Sequence, residues 1–406
     1  MSFQQGLSGL NAAAKNLDVI GNNMANSNTM GFKGAQAQFS DVFANSIAGG
    51  GTQVGIGTSL TSVLPSFGQG NINTSANPLD IAINGQGFFR TSVGGTINYT
   101  RNGQFGLDKD GYVVNATGAR LSGYAANASG AIVASTPVDL QISSADLAPS
   151  ATTDAGVVLN LDSRNAALSA AAFNAADSAT YHSATSISIY DSLGNPHTLT
   201  TYFVKTAANA WSVFAANDGV QVGAGAVGTL SFRNDGSIDP AATTLPFALS
   251  VPVATGAINP LPFDLTFTGS TQFGSAFGVN ELTQDGYQSG KLTGYAISPD
   301  GTIVGRYSNG QTRAQGQIVL ANFTNPQGLQ ALGNNAWGET AASGQSLLGA
   351  PNSGNLGVLQ SGALEESNVD VTAELVKMIT AQRIYQANAQ TIKTQDAVLQ
   401  TMVNLR

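Results

Sequence analysis

Apolar residues recur at two different periods along this chain, and the change of period divides it into three stretches. Phe3, Leu7, Leu10, Ala14, Leu17, Gly21 and Met24 are spaced by alternating steps of four and three, one narrow stripe along a helix. The spacing predicts a helix of about 23 residues, roughly 35 Å long. Gly21 leaves a gap in the stripe, where another backbone is expected to approach. A second stripe, Val371, Leu375, Met378, Tyr385, Ala389, Ile392, Leu399 and Val403, runs near the other end and is broken at Gln382 and Asp396. Ser367, with Asp370 three residues later, reads as a capping box before it. Neither Gly nor Pro occurs from Ser367 to Arg406, so one helix of roughly 55 Å is predicted.

Between these ends, from about Ile72 to Val358, the period falls to that of strands. Short β-rich runs are punctuated by Asn84-Gly85, Asn102-Gly103, Asp110-Gly111, Asp235-Gly236, Asp300-Gly301 and Asn309-Gly310, dipeptides that mark hairpin turns. "ISIYDSLGNPHTLTTYFVK" (187–205) predicts two strands around a Gly-Asn-Pro turn, and "YAISPDGTIVGRYSNGQ" (295–311) another hairpin. The fold class is therefore α+β: mainly β outer domains, with long helical N- and C-terminal segments forming a coiled-coil-like core. Residues 1–28 with 368–406 are expected to form the helical core domain, and 29–73 with 358–367 a connecting segment. Residues 74–145 with 285–357 would make a discontinuous β domain, and 146–284 an inserted outer β domain. The Ala/Ser-rich stretch from Ser143 to Thr180 opens that insertion and reads as weakly structured.

Composition narrows the function. Only 10% of the 406 residues are charged, against roughly 25% in ordinary soluble proteins, so hydroxyls and amides must solvate most of the surface. A net charge of −8, with 16 basic residues in no run or patch, argues against nucleic acid as a partner. Cysteine is absent, which excludes disulfides, thiolate metal sites and a thiol nucleophile. No secretory signal pattern and no run of about 18 apolar residues is seen. Those two features alone favour a cytoplasmic protein or one exported without a cleaved signal.

The case for an enzyme is thin. The two histidines, His182 and His197, come without a G-x-S-x-G elbow or metal-ligand spacing, and an exposed strand or loop position is expected for them. "LDKDGYVVN" (107–115) opens like a calcium loop, but the acid required at its twelfth position falls on Ala119, so a hairpin turn is expected. "GGGTQVGIG" (49–57) does not link a strand to a helix as a phosphate cradle would. "INGQGFF" (83–89) reads as a tight turn whose two Phe anchor a sheet. No catalytic residue, cofactor, metal or small-molecule substrate is expected. The terminal stripes remain: helices with so few charges all round expect neighbours on several sides. Assembly through Phe3, Leu7, Leu10, Leu17, Met24, Leu375, Met378, Tyr385, Ile392, Leu399 and Val403 is the reading they favour.

"LSGLNAAAKNLDVIGNNMANSNTMGFKG" (7–34) resembles the N-terminal signature of the bacterial flagellar rod and hook axial family, and "GALEESNVDVTAELVKMITAQRIYQANAQTIKTQDAVLQTMVNLR" (362–406) resembles its other end. "NPLDIAINGQGFFR", "YTRNGQFGLDKDGYVVN" and "GQIVLANFTNPQGLQALGNNAWGET" resemble the hook and distal-rod branch, with the insertion favouring hook over rod. Met24 stands where the family more often has Ile or Leu, a swap that conserves volume. The resemblance implies a non-enzymatic subunit whose helices line the inner wall of a helical tube. In it, Asn22, Asn23, Asn26, Gly31, Phe32 and Lys33 lead the chain out of that layer. It also implies self-assembly, export through the flagellar type III apparatus to the cell exterior, and contacts with the distal rod protein, the hook–filament junction protein and the hook cap. The alternatives are a distal rod subunit, whose tube is straight, and a secreted β-rich adhesin or hydrolase. The stretch after Gly34, to about Gly70, is where straight and curved tubes would be decided.

Overall fold

The structure is a computed structural model and describes residues 2–42 and 55–404. It is mostly β with two long helices, α1 (Ser2–Ala25) and α2 (Val371–Asn404), close to 36 Å and 51 Å long at 1.5 Å per residue. The chain forms two compact units: residues 1–144 with 294–306 and 312–406, and residues 145–293 with 307–311.

The first unit holds both helices. An antiparallel pair, β1 (Ala35–Val42) and β2 (Gly57–Pro65), follows α1 and packs along it. The glycine-rich stretch 49–57 falls mostly between these strands, and its residues 49–54 lie outside the described residues. A 13-stranded sheet makes the body. Its centre is Phe88, Tyr99, Ala321, Phe323 and Leu329, with Phe67 and Trp337 packed against them. The rings of Phe67, Phe88, Trp337, Phe323 and Tyr99 meet edge to face at 4.8–5.9 Å, the arrangement aromatic quadrupoles prefer. Phe88 and Phe89 of the predicted turn are both buried in it.

Incoming and outgoing strands of the body lie side by side. Ile72–Thr74 pairs with Ala363–Glu365, and Ile81–Asn84 with Val358–Ser361, both antiparallel. The two ends of the chain thus leave the body together.

The second unit stacks two five-stranded sheets around Leu159, Leu161, Ile189, Phe203, Trp211, Leu249 and Phe267. The Trp211 indole N–H donates to Gln272 Oε1 at 2.6 Å, so its polar edge is satisfied inside the core.

Three expectations need correcting. The stretch 143–180 is not weakly structured: Asp154–Asp162 is a strand at the middle of one sheet, with Leu159 and Leu161 fully buried. Its alternating Val157, Leu159 and Leu161 were masked by the small residues on either side. Neither Asn84-Gly85 nor Asn102-Gly103 turns a hairpin: the strand Ile81–Asn84 pairs with Val358–Ser361 and not with the strand Phe88–Val93 that follows it. Gly103 passes so close to the Ile81 carbonyl that a Cβ there would overlap it. The cap of α2 is Asp370 rather than Ser367, its Oδ1 accepting from the N–H groups of Thr372 and Ala373 at 2.8 and 3.2 Å. Asp108 Oδ1 accepts from the N–H groups of Asp110 and Tyr112, which makes "LDKDGYVVN" a turn between the strands Phe105–Leu107 and Val113–Asn115.

Candidate assembly site: the helical ends and their buried root

The helices pack antiparallel through the smallest residues they possess. A Cβ on Gly6 would sit 3.1 Å from Ile392 Cγ1, and one on Gly9 would sit 2.8 Å from the Asn388 side chain. Ala13 and Ile20 continue this line on α1, and Ala381 and Glu374 continue it on α2, all four buried. Gly6, Ala13 and Ile20 are spaced by seven, as are Glu374, Ala381 and Asn388, so each trio keeps one face along its helix. Contacts this close need small residues, because a side chain on Gly6 or Gly9 would press on Ile392 and Asn388 and push the helices apart.

The predicted stripes therefore lie mostly off this seam. Phe3 and Leu7 are 47% and 44% exposed, and Leu10, Ala14, Leu17 and Met24 are half-buried. On α2, Met378, Ala389 and Ile392 are half-buried. Val371, Leu375 and Tyr385 are exposed, as are Leu399 (54%) and Val403 (74%). A Cβ added at Gly21 would meet no other part of the described residues within 4 Å, so the close contact expected there occurs at Gly6 and Gly9 instead. Val376, Ile379, Ile384 and Val398 add to the exposed apolar surface of α2.

The asparagine-rich segment does its work at the end of α1. Asn23 is buried and bridges the Ala35 backbone on both sides, its Nδ2 donating to the carbonyl at 2.8 Å and its Oδ1 accepting from the N–H at 2.9 Å. The start of β1 is thereby pinned to the helix. Asn26 Nδ2 donates at 3.0 Å to the Asn22 carbonyl, which also accepts the Asn26 N–H, and Thr29 Oγ1 donates to Asn26 Oδ1, local side-chain bonds of the kind asparagine makes where a helix ends. Asn22 itself is exposed. Gly31 turns the chain at φ +69°, and a Cβ there would lie 2.5 Å from the Asn102 nitrogen. Phe32, half-buried, shares a groove with Val63, Pro65, Leu329 and Trp337.

Below the turn lies an ionic cluster that sequence reasoning saw only in part, through Lys33. Lys33 Nζ donates to Glu365 Oε1 at 2.7 Å and to the Gly68 carbonyl at 2.9 Å. Arg101 donates from Nη1 to Glu365 Oε2 at 3.3 Å and from Nη2 to the Gly85 carbonyl at 2.9 Å. The Gly70 N–H also donates to Glu365 Oε1, at 2.9 Å. The side chains of Lys33 and Glu365 are wholly shielded from water and that of Arg101 nearly so. Burial pulls the Lys33 ammonium and the Arg101 guanidinium below their ordinary pKa values, against the opposing pull of Glu365. Removing one member of such a set costs about 3–5 kcal/mol, because the charges left behind stay buried. The signal missed was scarcity: in a chain with so few charges, a Lys inside "TMGFKG" and a Glu inside "GALEES" were unusual.

Away from this region, His197 is buried, contrary to the exposed position expected of it. Its Nδ1 lies 2.7 Å from Asp218 Oδ2 and its Nε2 3.4 Å from Asp191 Oδ2. Asp191 is itself held by Thr255, Asn195 and the Leu193 N–H, an arrangement that fixes a turn. His182 is half-buried, with Nε2 2.8 Å from the Ala166 carbonyl. Among the described residues, no group of three or more His, Asp or Glu is placed to hold a metal ion, and no helix is long and apolar enough to cross a membrane.

Comparison with known proteins agrees in chain order. Residues 3–33 match the flagella basal body rod protein family, and 82–158 match the flagellar hook protein FlgE/F/G D1 domain. Residues 160–287 match the flagellar basal body protein FlaE D2 domain, and 360–405 the flagellar basal body rod FlgEFG protein C-terminal region. The chain is 44% identical to the flagellar hook protein FlgE of Escherichia coli and 43% identical to that of Salmonella typhimurium, over the whole of both chains in each case. It is 35% identical to that of Borreliella burgdorferi over all of this chain and 99% of the relative. A crystal structure of the Helicobacter pylori flagellar hook protein FlgE2 shares the fold, with a TM-score of 0.53 at 14% identity over 72% of this chain and 99% of that one. With full-length relatives at this identity, the chain belongs to the flagellar hook protein family.

Proposed function

We propose that this hook subunit polymerises through its terminal helices into a flexible, curved tube that carries torque from rod to filament. The observation that carries the reading is the apolar surface of α1 and α2 left uncovered by their own seam. Phe3 and Leu7, with Leu399 and Val403 at the far end of α2, are exposed in one chain. A row of large apolar side chains on a helix pair marks an interaction surface. Further copies of the same helices would cover it, and head-to-tail contacts that do not close generate a helical filament.

In this reading the terminal helices form a coiled-coil-like inner layer, residues 1–28 with 368–406, joined by 29–73 with 358–367 to a β domain of 74–145 with 285–357. Residues 146–284 form the outer domain. The assembly residues are Phe3, Leu7, Leu10, Leu17, Met24, Leu375, Met378, Tyr385, Ile392, Leu399 and Val403. Asn22, Asn23, Asn26, Gly31, Phe32 and Lys33 lead out of the inner layer. The tube lies outside the cell, and its subunits leave through the type III export apparatus. It meets the distal rod protein at one end, the hook–filament junction protein at the other, and the hook cap during growth. The role is structural rather than enzymatic, and full-length similarity to hook proteins does not favour the distal-rod reading. Electron microscopy of Leu399→Asp protein tests it: the variant is expected to stay monomeric with both β units folded, and wild-type tubes from it would refute the assignment.

A further inference from the structure

We propose that Glu365 is the positioning residue that fixes the direction in which α1 and α2 leave the β body, and through it the lattice of the assembled tube. The proposal rests on the hook-subunit reading and deepens it by naming what couples the helices to the body.

Four stretches that are remote in sequence converge on this one carboxylate. Lys33 follows α1, Glu365 lies shortly before α2, Gly70 lies just before the incoming strand Ile72–Thr74, and Arg101 directly follows the strand Thr96–Thr100. The backbone joins the same knot, since the Gly31 N–H donates to the Glu365 carbonyl at 2.8 Å. Each cation then reaches further, Lys33 to Gly68 and Arg101 to Gly85. The surrounding bonds are also polar. Asn368 accepts from the Gly34 N–H and donates to the carbonyls of Ser66 and Gly68, and Asn73 donates to Glu366. The junction is thus built from hydrogen bonds, whose strength falls steeply with angle. An apolar contact would let the helices pivot. A bidentate carboxylate between two fixed cations does not.

The charge balance argues the same way. Two buried cations share one anion, and Arg101 Nε has no hydrogen-bond partner among the described residues. A junction shaped only for stability would do as well or better with apolar side chains of similar volume. What the ions supply, and apolar groups would not, is a single geometry.

The test uses full-length protein in three forms, wild type, Glu365→Gln and the triple variant Lys33→Met, Arg101→Met, Glu365→Met. Thermal unfolding and tube formation by electron microscopy are measured side by side. The expected result is regular tubes from wild type and at least tenfold fewer from Glu365→Gln. The triple variant is expected to recover wild-type melting without the wild-type helical lattice. Wild-type tubes from the triple variant would overturn the proposal, because the triad would then serve stability alone, and so would wild-type tubes from Glu365→Gln. Should the triple variant not fold, Glu365→Asp decides, since it keeps the charge but shortens the reach by one methylene. An altered lattice from it supports positioning, and an unchanged lattice refutes it. Wild-type protein forming no tubes under any condition would count against the assembly reading itself, which separates the two failures.

Discussion

Replacing Gly31 by alanine puts a number on the turn that sends the chain from α1 into the body. At φ +69° an L-residue pays about 1–2 kcal/mol for the left-handed backbone alone. The added Cβ would also sit 2.5 Å from the Asn102 nitrogen and 2.7 Å from the Arg101 carbonyl carbon. Both atoms are backbone, so no side chain can rotate out of the way, and the displacement costs about a further 1–3 kcal/mol. At about 2–4 °C per kcal/mol for a unit of this size, melting of the first unit should fall by roughly 4–20 °C. The assay is built into the sequence, because the chain has two tryptophans and each unit holds one. Trp337 packs with Phe67 beside Phe88 in the first unit, while Trp211 is buried in the second. With Trp211→Phe as background, Trp337 fluorescence should report the loss; with Trp337→Phe, Trp211 should report none. Gly31→Asn separates the two costs. Asparagine tolerates the left-handed region but brings the same Cβ, so it should recover no more than about 1–2 kcal/mol. Melting of Gly31→Ala within a degree of wild type would refute the reasoning.

Other consequences follow from the same geometry. Burial opposes charge on His197, yet its hydrogen bonds to Asp218 and Asp191 and their negative charges outweigh it, raising its pKa above the ordinary 6.5. Its contribution to the second unit is therefore complete below about pH 6.5 and lost as pH rises through the raised folded value; Trp211-monitored stability should show that decline, and His197→Gln should remove it. Asn23→Ala strands a backbone N–H and a carbonyl of Ala35, and should cost the first unit about 1–3 kcal/mol in denaturant unfolding. Leu7→Asp, at an exposed position, should leave melting within about 0.5 kcal/mol of wild type while abolishing sedimentable polymer.

The helices and most hairpin turns were legible because their signals are local: a heptad stripe, or a Gly after Asn or Asp. The seam was not. Gly6, Gly9, Ala13 and Asn388 carry no hydrophobic signal, so the eye follows the larger residues that in fact face away. The ionic root was hidden by distance, since Lys33 and Glu365 are 332 residues apart and single charges ordinarily read as surface. His197 was misjudged for a similar reason: Asp218 lies 21 residues downstream, and only pairing of Pro196–Ala207 with Ala210–Asn217 brings it alongside.

Assembly through the helices requires the exposed stripes on α1 and α2 to become buried between subunits. A cryo-electron-microscopy map of tubes assembled from the full-length chain tests it most directly. Both helices are expected in the innermost wall, with Phe3, Leu7, Leu399 and Val403 covered by neighbouring copies. A tube whose subunit contacts run through the β units alone, with those four side chains still facing solvent, would contradict it.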